Sequence, residues 1–270
     1  MVKKDLNLDR RQTSSAMLVY VLALLAIVLL LAPSCKKSPR QSRDTSDGRR
    51  ATSDEVGEAD AAAPKLVPSI VEGLVPIDIK LPKAMFIGTP QNIRVPNLEK
   101  PLGRPRPPFL APVGTKNVAF GKPVASTDEE PIIGEIEMIT DGDKEGADGS
   151  YVELGPFLQN VTIDLGAEYS IYAILLWHYH KQARVYLDIV VQVADDPDFI
   201  TNVRTLFNND GDSSSGLGLG SDMHYVETAE GKLIDAKGVR ARYVRLYSNG
   251  NSSNELNHYI EVEVFGKPTK

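Results

Sequence analysis

At 270 residues the chain has room for one or two domains. Its formal net charge of −6 is unevenly spread: residues 1–112 hold 17 Lys+Arg against 11 Asp+Glu, whereas residues 113–270 hold 13 against 25. The acidic C-terminal part argues against nucleic acid as a partner, because phosphates want a basic face, and a single cysteine, Cys35, excludes any intramolecular disulfide.

In chain order, Lys3, Lys4, Arg10 and Arg11 precede an unbroken apolar run over residues 16–32, and Cys35 follows at once. A basic stretch, an apolar stretch and a small-residue processing site make an export signal. The sequence LAPSC resembles a bacterial lipobox, with Cys35 as the acylated residue, although Ala32 and Pro33 depart from the usual pattern. As a helix the run would span about 25 Å, against a hydrocarbon core of about 30 Å. A lipoprotein, an uncleaved single-span anchor and ordinary secretion all fit, and all three export the rest of the chain. Residues 1–35 are therefore expected to place the protein on a membrane, at its periplasmic or cell-surface face.

Residues 36–63 are polar and charged, without hydrophobic period, and read as a disordered tether. Eleven of the eighteen prolines fall in residues 64–112, which excludes helix and favours extended backbone, reaching on the order of 150 Å. Within LVPIDIKLP, however, Val75, Ile77, Ile79 and Leu81 share one side of an extended chain. A free linker and an arm docked on the following domain both fit this pattern.

From Asn117 the pattern is all-β. The two-residue period marks strands over 118–120, 161–165, 171–179, 185–194, 204–207, 224–227, 242–247 and 259–265. Turn signals separate them, such as DDPD at 195–198 and SNGN at 248–251. In 185–194 the residues Val185, Leu187, Ile189, Val191 and Val193 predict one continuous aliphatic face, as in the core strand of a sandwich.

Three blocks stand in order: NVAFGKPVAS at 117–126, VTIDLGAEYSIYAILLW at 161–177, and ARYVRLYSNGN followed by HYIEVEVFG at 241–266. Together they resemble the coagulation factor V/VIII type C, or discoidin, domain and its galactose-binding-like carbohydrate-module relatives. The resemblance covers a little over half the chain and implies a jelly-roll β-sandwich over residues 113–270. It also implies a calcium ion between an early DG turn and the first Glu of EVEV. The matching positions are the side chains of Asp141 and Glu261 and the backbone oxygens of Met138, Asp143 and Ile260, with Gly146 offering only its carbonyl where relatives often have Thr or Ser. Hard oxygen ligands suit that ion. On the final strand Glu261 and Glu263 alternate with Ile260, Val262 and Val264, and Glu263 is expected to point to solvent beyond the site.

The segment WHYHKQARVY at 177–186 falls where sugar-binding relatives carry ligand residues, often an Arg and then an Asn, and that spacing is missing here. In its place stand Trp177, His178, His180, Lys181 and Arg184, an aromatic ring for stacking and donors for hydroxyls or carboxylates. His178 and His180, with His224 and His258, also form a possible zinc or copper set. In the Gly-rich loop at 208–222, Asp210, Asp212 and Asp222 are candidates for a second cation site. No GxSxG elbow or other nucleophile arrangement is present, so no enzyme activity is expected. Two functions fit: recognition of a glycan or another cell-envelope component through a calcium-stabilised domain, or a structural, adhesive module with no small ligand. Exposure of Trp177, His178 and His180 in a concave patch favours the first, and burial of all three the second.

Overall fold

A computed structural model describes residues 73–86 and 92–269, which lie within the unit Lys65–Lys270. Cys35 and residues 16–32 fall outside the described residues. No described helix is long and apolar enough to cross a membrane.

The architecture is the expected all-β jelly-roll sandwich, built among the described residues from antiparallel strand pairs and a single 3-10 turn at Ile136–Thr140. Its axis is the pairing of two long strands, β6 (Gln159–Trp177) and β9 (Lys232–Ser248). On the first half of β6 lies β4 (Val124–Ser126), and on its second half β11 (Glu261–Pro268), edged by β3 (Lys116–Asn117). The second half of β9 continues through β7 (Val190–Ala194) to β8 (Arg204–Asn208). Across the core stands a two-stranded sheet of β5 (Val152–Pro156) and β10 (Leu256–Tyr259).

Alternation in β6 reverses midway, and the reversal explains its apolar run. Val161, Ile163, Leu165 and Ile171 face the main core, whereas beyond a register shift between Ile171 and Ala173 the core-facing residues are Ile174 and Leu176. A bulge flips every later side chain to the other face. Ala173, Leu175 and Trp177 therefore point outward, yet all are fully buried in a second cluster with Ile260 and Phe265. The cover is the proline-rich segment. β1 (Leu74–Pro76) pairs with β2 (Leu110–Pro112), and Ile77 and Ala111 join that outer cluster.

Further along, the Arg106 guanidinium donates to the Glu230 and Gly231 carbonyls. Leu98 bridges His224, and Lys232 pairs with Glu99 at 2.8 Å. Among the described residues of this segment, 74–77, 98–99, 106 and 110–112 thus pack against the sandwich or pair with one another.

Several strand expectations change. Residues 118–120 form no strand, and Phe120 is exposed. The strand expected from 185 begins at Val190, because Asp188 adopts φ 50° and breaks the extended run, leaving Leu187 only half-buried. Residues 224–227 make only the Leu98 bridge, and the strand expected over 259–265 is split at Ile260 into β10 and β11.

Candidate functional site

The DG turn and the last strand do meet. Glu261 pairs in register with Trp177 and Glu263 with Leu175, so both carboxylates lie on the outer face of the sheet, under the loop at 141–146. Glu261 is fully buried; its Oε2 accepts from the Gly142 amide at 3.0 Å, and its Oε1 has no partner. Burial pushes its carboxyl up to about 9. Asp141 is exposed and its Oδ1 accepts from the Asp143 amide, while Asp143 caps Glu145 in the same way. The Met138 carbonyl receives the Asp141 amide.

Gly146, at φ 56°, lies so close to Ile260 that a β-carbon would come within 2.5 Å of its Cδ1. That close approach seats the loop on the strand. Glu263 does not face solvent as expected. It is buried and bonds Lys144 Nζ at 2.6 Å, because Lys144 folds back over the outer face with its ammonium 5.3 Å from the Trp177 ring centroid.

Trp177, His178 and His180 form no surface patch. Trp177 is fully buried and donates from Nε1 to the Ala229 carbonyl. His178, at the end of β6, turns into the main core, stacks on Tyr186 with centroids 4.1 Å apart and bonds Glu227 through Nδ1 at 3.1 Å. His180 Nε2 meets the Lys144 carbonyl at 2.8 Å, which ties the segment to the 141–146 loop. Only Lys181 and Arg184 of the expected ligand group are partly exposed. Arg184 stands over the Tyr179 ring at 4.9 Å, beside a buried His258 whose Nε2 lies 2.9 Å from Glu153. Burial, with Arg184 nearby, holds the His258 imidazole down to about 3, so it is neutral.

The histidines do not assemble a metal set. Among the described residues, the acidic and histidine ligand atoms gathered within 4.8 Å belong to Asp188, Asp210 and Asp212, with Asp188 in the place expected of Asp222. Asp222 instead accepts from the Asn208 amide. Asp210 is fully buried, but Ser214 and Ser215 already bond its two oxygens, which organises the loop itself.

One surface feature escapes the strand pattern. Phe157, in the turn between β5 and β6, is 78% exposed and adopts φ 69°. A bulky residue in that left-handed region is an outlier. Buried Asn257 holds it there, donating from Nδ2 to the Gly155 and Phe157 carbonyls and accepting the Gly250 amide. Phe157 edges a cleft of about 420 Å³ with Leu187, Asn249, Asn251, Asn254 and Glu255. The sequence signal was GPF at 155–157, an aromatic residue in a turn between two strand patterns.

No family model matches the chain, and no curated protein matches it. Solved structures do. Similar chains include a family 89 glycoside hydrolase from Clostridium perfringens in complex with 2-acetamido-1,2-dideoxynojirmycin, at 23% identity and TM-score 0.41, covering 57% of this chain and 15% of that one. The CBM32 of AlyQ in complex with 4,5-unsaturated mannuronic acid has 19% identity and TM-score 0.38, over 52% of this chain and 93% of the module. A chitosan-binding module from a Paenibacillus sp. IK-5 chitosanase/glucanase has 18% identity and TM-score 0.39, over 56% and 99%. The chain thus spans a small part of the hydrolase and nearly all of each binding module.

Proposed function

We propose that this is an exported binding module which recognises a glycan at the cleft edged by Phe157. One observation supports the reading: a large aromatic side chain is held almost bare in a strained backbone conformation by a buried Asn257. Strain of that kind persists where the surroundings impose it, and it gathers at ligand clamps. An exposed ring offers a stacking face for a pyranose. Beside it Glu255 and the Asn254 amide are exposed and fit hydroxyl groups. The full-length chain should bind members of a neutral glycan array, and Phe157→Ala should weaken that binding about tenfold without lowering the melting temperature. An array that stays blank, or binding indifferent to Phe157→Ala, overturns the assignment.

Burial of Trp177, His178 and His180 favours a second reading, an adhesive or structural module with no small ligand. On that reading the array stays blank for both proteins.

A calcium ion would be held by the Asp141 and Glu261 carboxylates and the carbonyls of Met138, Asp143, Gly146 and Ile260. The unpartnered, buried Glu261 Oε1 supports the fit, since a buried carboxylate without a counter-charge is costly. Bound calcium would supply that charge and link loop to strand. Membrane attachment through Cys35 belongs to the same proposal. Cys35→Ala should abolish incorporation of labelled fatty acid, and labelling that survives the change rules out a thioether-linked lipid.

A further inference from the structure

A second groove, sharing no residue with the Phe157 cleft, runs between β8 and the first half of β9 and encloses about 680 Å³. Its walls carry Arg204, Lys237 and Arg240, all exposed; beneath them lie the half-buried Leu206 and the buried core residues Ala236 and Val239. None of the three cations has an ion-pair or side-chain hydrogen-bond partner among the described residues, whereas Lys144, Lys232 and Arg242 are each paired with a carboxylate. Lys237 is projected by a tight turn: it sits at φ 53°, followed by Gly238 at φ 75°, and its amide is held by Asp235 Oδ1 at 2.9 Å. Asp235 is the acid nearest in sequence, and that oxygen is committed to the turn. β8 pairs only with β7, and β9 pairs with β7 only from Tyr243 onward, so no strand closes the groove.

We propose that this groove binds an acidic oligosaccharide, one carrying carboxylate or sulfate groups. Guanidinium forks and an ammonium match such anions in geometry and charge. Half-buried Leu206 offers an apolar contact to the C–H face of a sugar ring. Three unpaired cations converge here on a region that holds 13 Lys+Arg against 25 Asp+Glu, which makes the groove a local exception in the field of the domain. Nucleic acid fits worse, because the lining contains no aromatic ring on which a base could stack.

The test is titration of the full-length chain with an oligouronate, a sulfated oligosaccharide and a neutral oligosaccharide of equal length. A triple variant, Arg204→Ala, Lys237→Ala and Arg240→Ala, alters only exposed side chains and should keep the wild-type melting temperature. At least one acidic ligand should bind, weaken with added salt, and lose at least about tenfold in affinity in the triple variant; which one binds identifies carboxylate or sulfate. Phe157→Ala should leave this binding intact, so failure of the groove and failure of the cleft are told apart. Equal affinity of wild type and triple variant, absence of binding by both acidic ligands, or tighter binding of polyglutamate or single-stranded DNA would overturn the proposal.

Discussion

Gly231 sits at φ 61° against the Trp177 indole, and a β-carbon there would lie 2.7 Å from both Cε2 and Nε1. No rotamer relieves that contact, because Trp177 is enclosed and its Nε1 is committed to Ala229. Gly231→Ala should therefore cost about 1–3 kcal/mol, read as a fall in melting temperature. Glu263→Gln has a different physical basis. It removes the charge from a buried pair, so that a neutral amide oxygen at best accepts from Lys144 and that ammonium is left without its counter-charge. Both effects depend on which way a side chain faces, and that was the part hardest to read. Alternation placed Glu261 and Glu263 on one face, but it could not say that the 141–146 loop roofs that face. The same gap hid Trp177: an outward-pointing tryptophan reads as exposed until something remote in sequence is known to cover it. Phe157 was obscured for the opposite reason, since a turn residue belongs to no periodic pattern.

At the level of elements, β6 shows what was legible. Its first half follows a strict period of two, and residues 161–165 were identified without ambiguity. The second half, AILLW, reads as a run with both faces apolar, which is how a strand covered on both sides looks. The cover is the arm, and of the alternating Val75, Ile77, Ile79 and Leu81 only Ile77 and Ile79 pack on the outer cluster, whereas Val75 and Leu81 are exposed; composition alone fitted a free linker as well. Ile77→Asp should release the arm, making residues 74–112 cleavable by mild protease, while the wild type yields a stable fragment that begins before Gly73. Equal protection of both proteins would mean the arm is held without Ile77. The pairing of β6 with β9 is also pinned by Arg242, whose Nε and Nη2 each donate to Asp164 at 2.8 Å. Those bonds hold the Asp164 carboxyl below its usual range. The folded state thus binds this proton more weakly than the unfolded one. The contribution is present above the ordinary carboxylate range and is lost as the pH falls through the folded value, below about pH 4. Asp164→Asn should flatten that acid limb of the melting curve and change the melting temperature little near neutrality, because so exposed a pair is screened by solvent.

For the molecule as a whole, the decisive link is between its loop at 141–146 and its last long strand, 119 residues apart at the Gly142–Glu261 bond. A cation held across that junction would bind the folded chain and not the unfolded one, and so would add stability by mass action. At a free concentration of 100 times the dissociation constant the gain is about 2.7 kcal/mol. Chelation should lower the melting temperature of the full-length chain, and calcium should restore it better than magnesium, which tolerates irregular carbonyl-rich cages poorly. Two variants separate the ion from the packing beneath it. Glu261→Gln keeps the shape and the bond from Gly142 but removes the charge, so its melting temperature should no longer respond to calcium. Glu263→Gln should melt lower than wild type in both chelator and calcium, yet keep the full difference between the two, because its partner is Lys144 and not the ion. If wild type melts alike in chelator and calcium, the buried Glu261 instead remains protonated under neutral conditions, as its raised value allows, and the loop is held by the Gly142 bond and the Gly146–Ile260 contact alone.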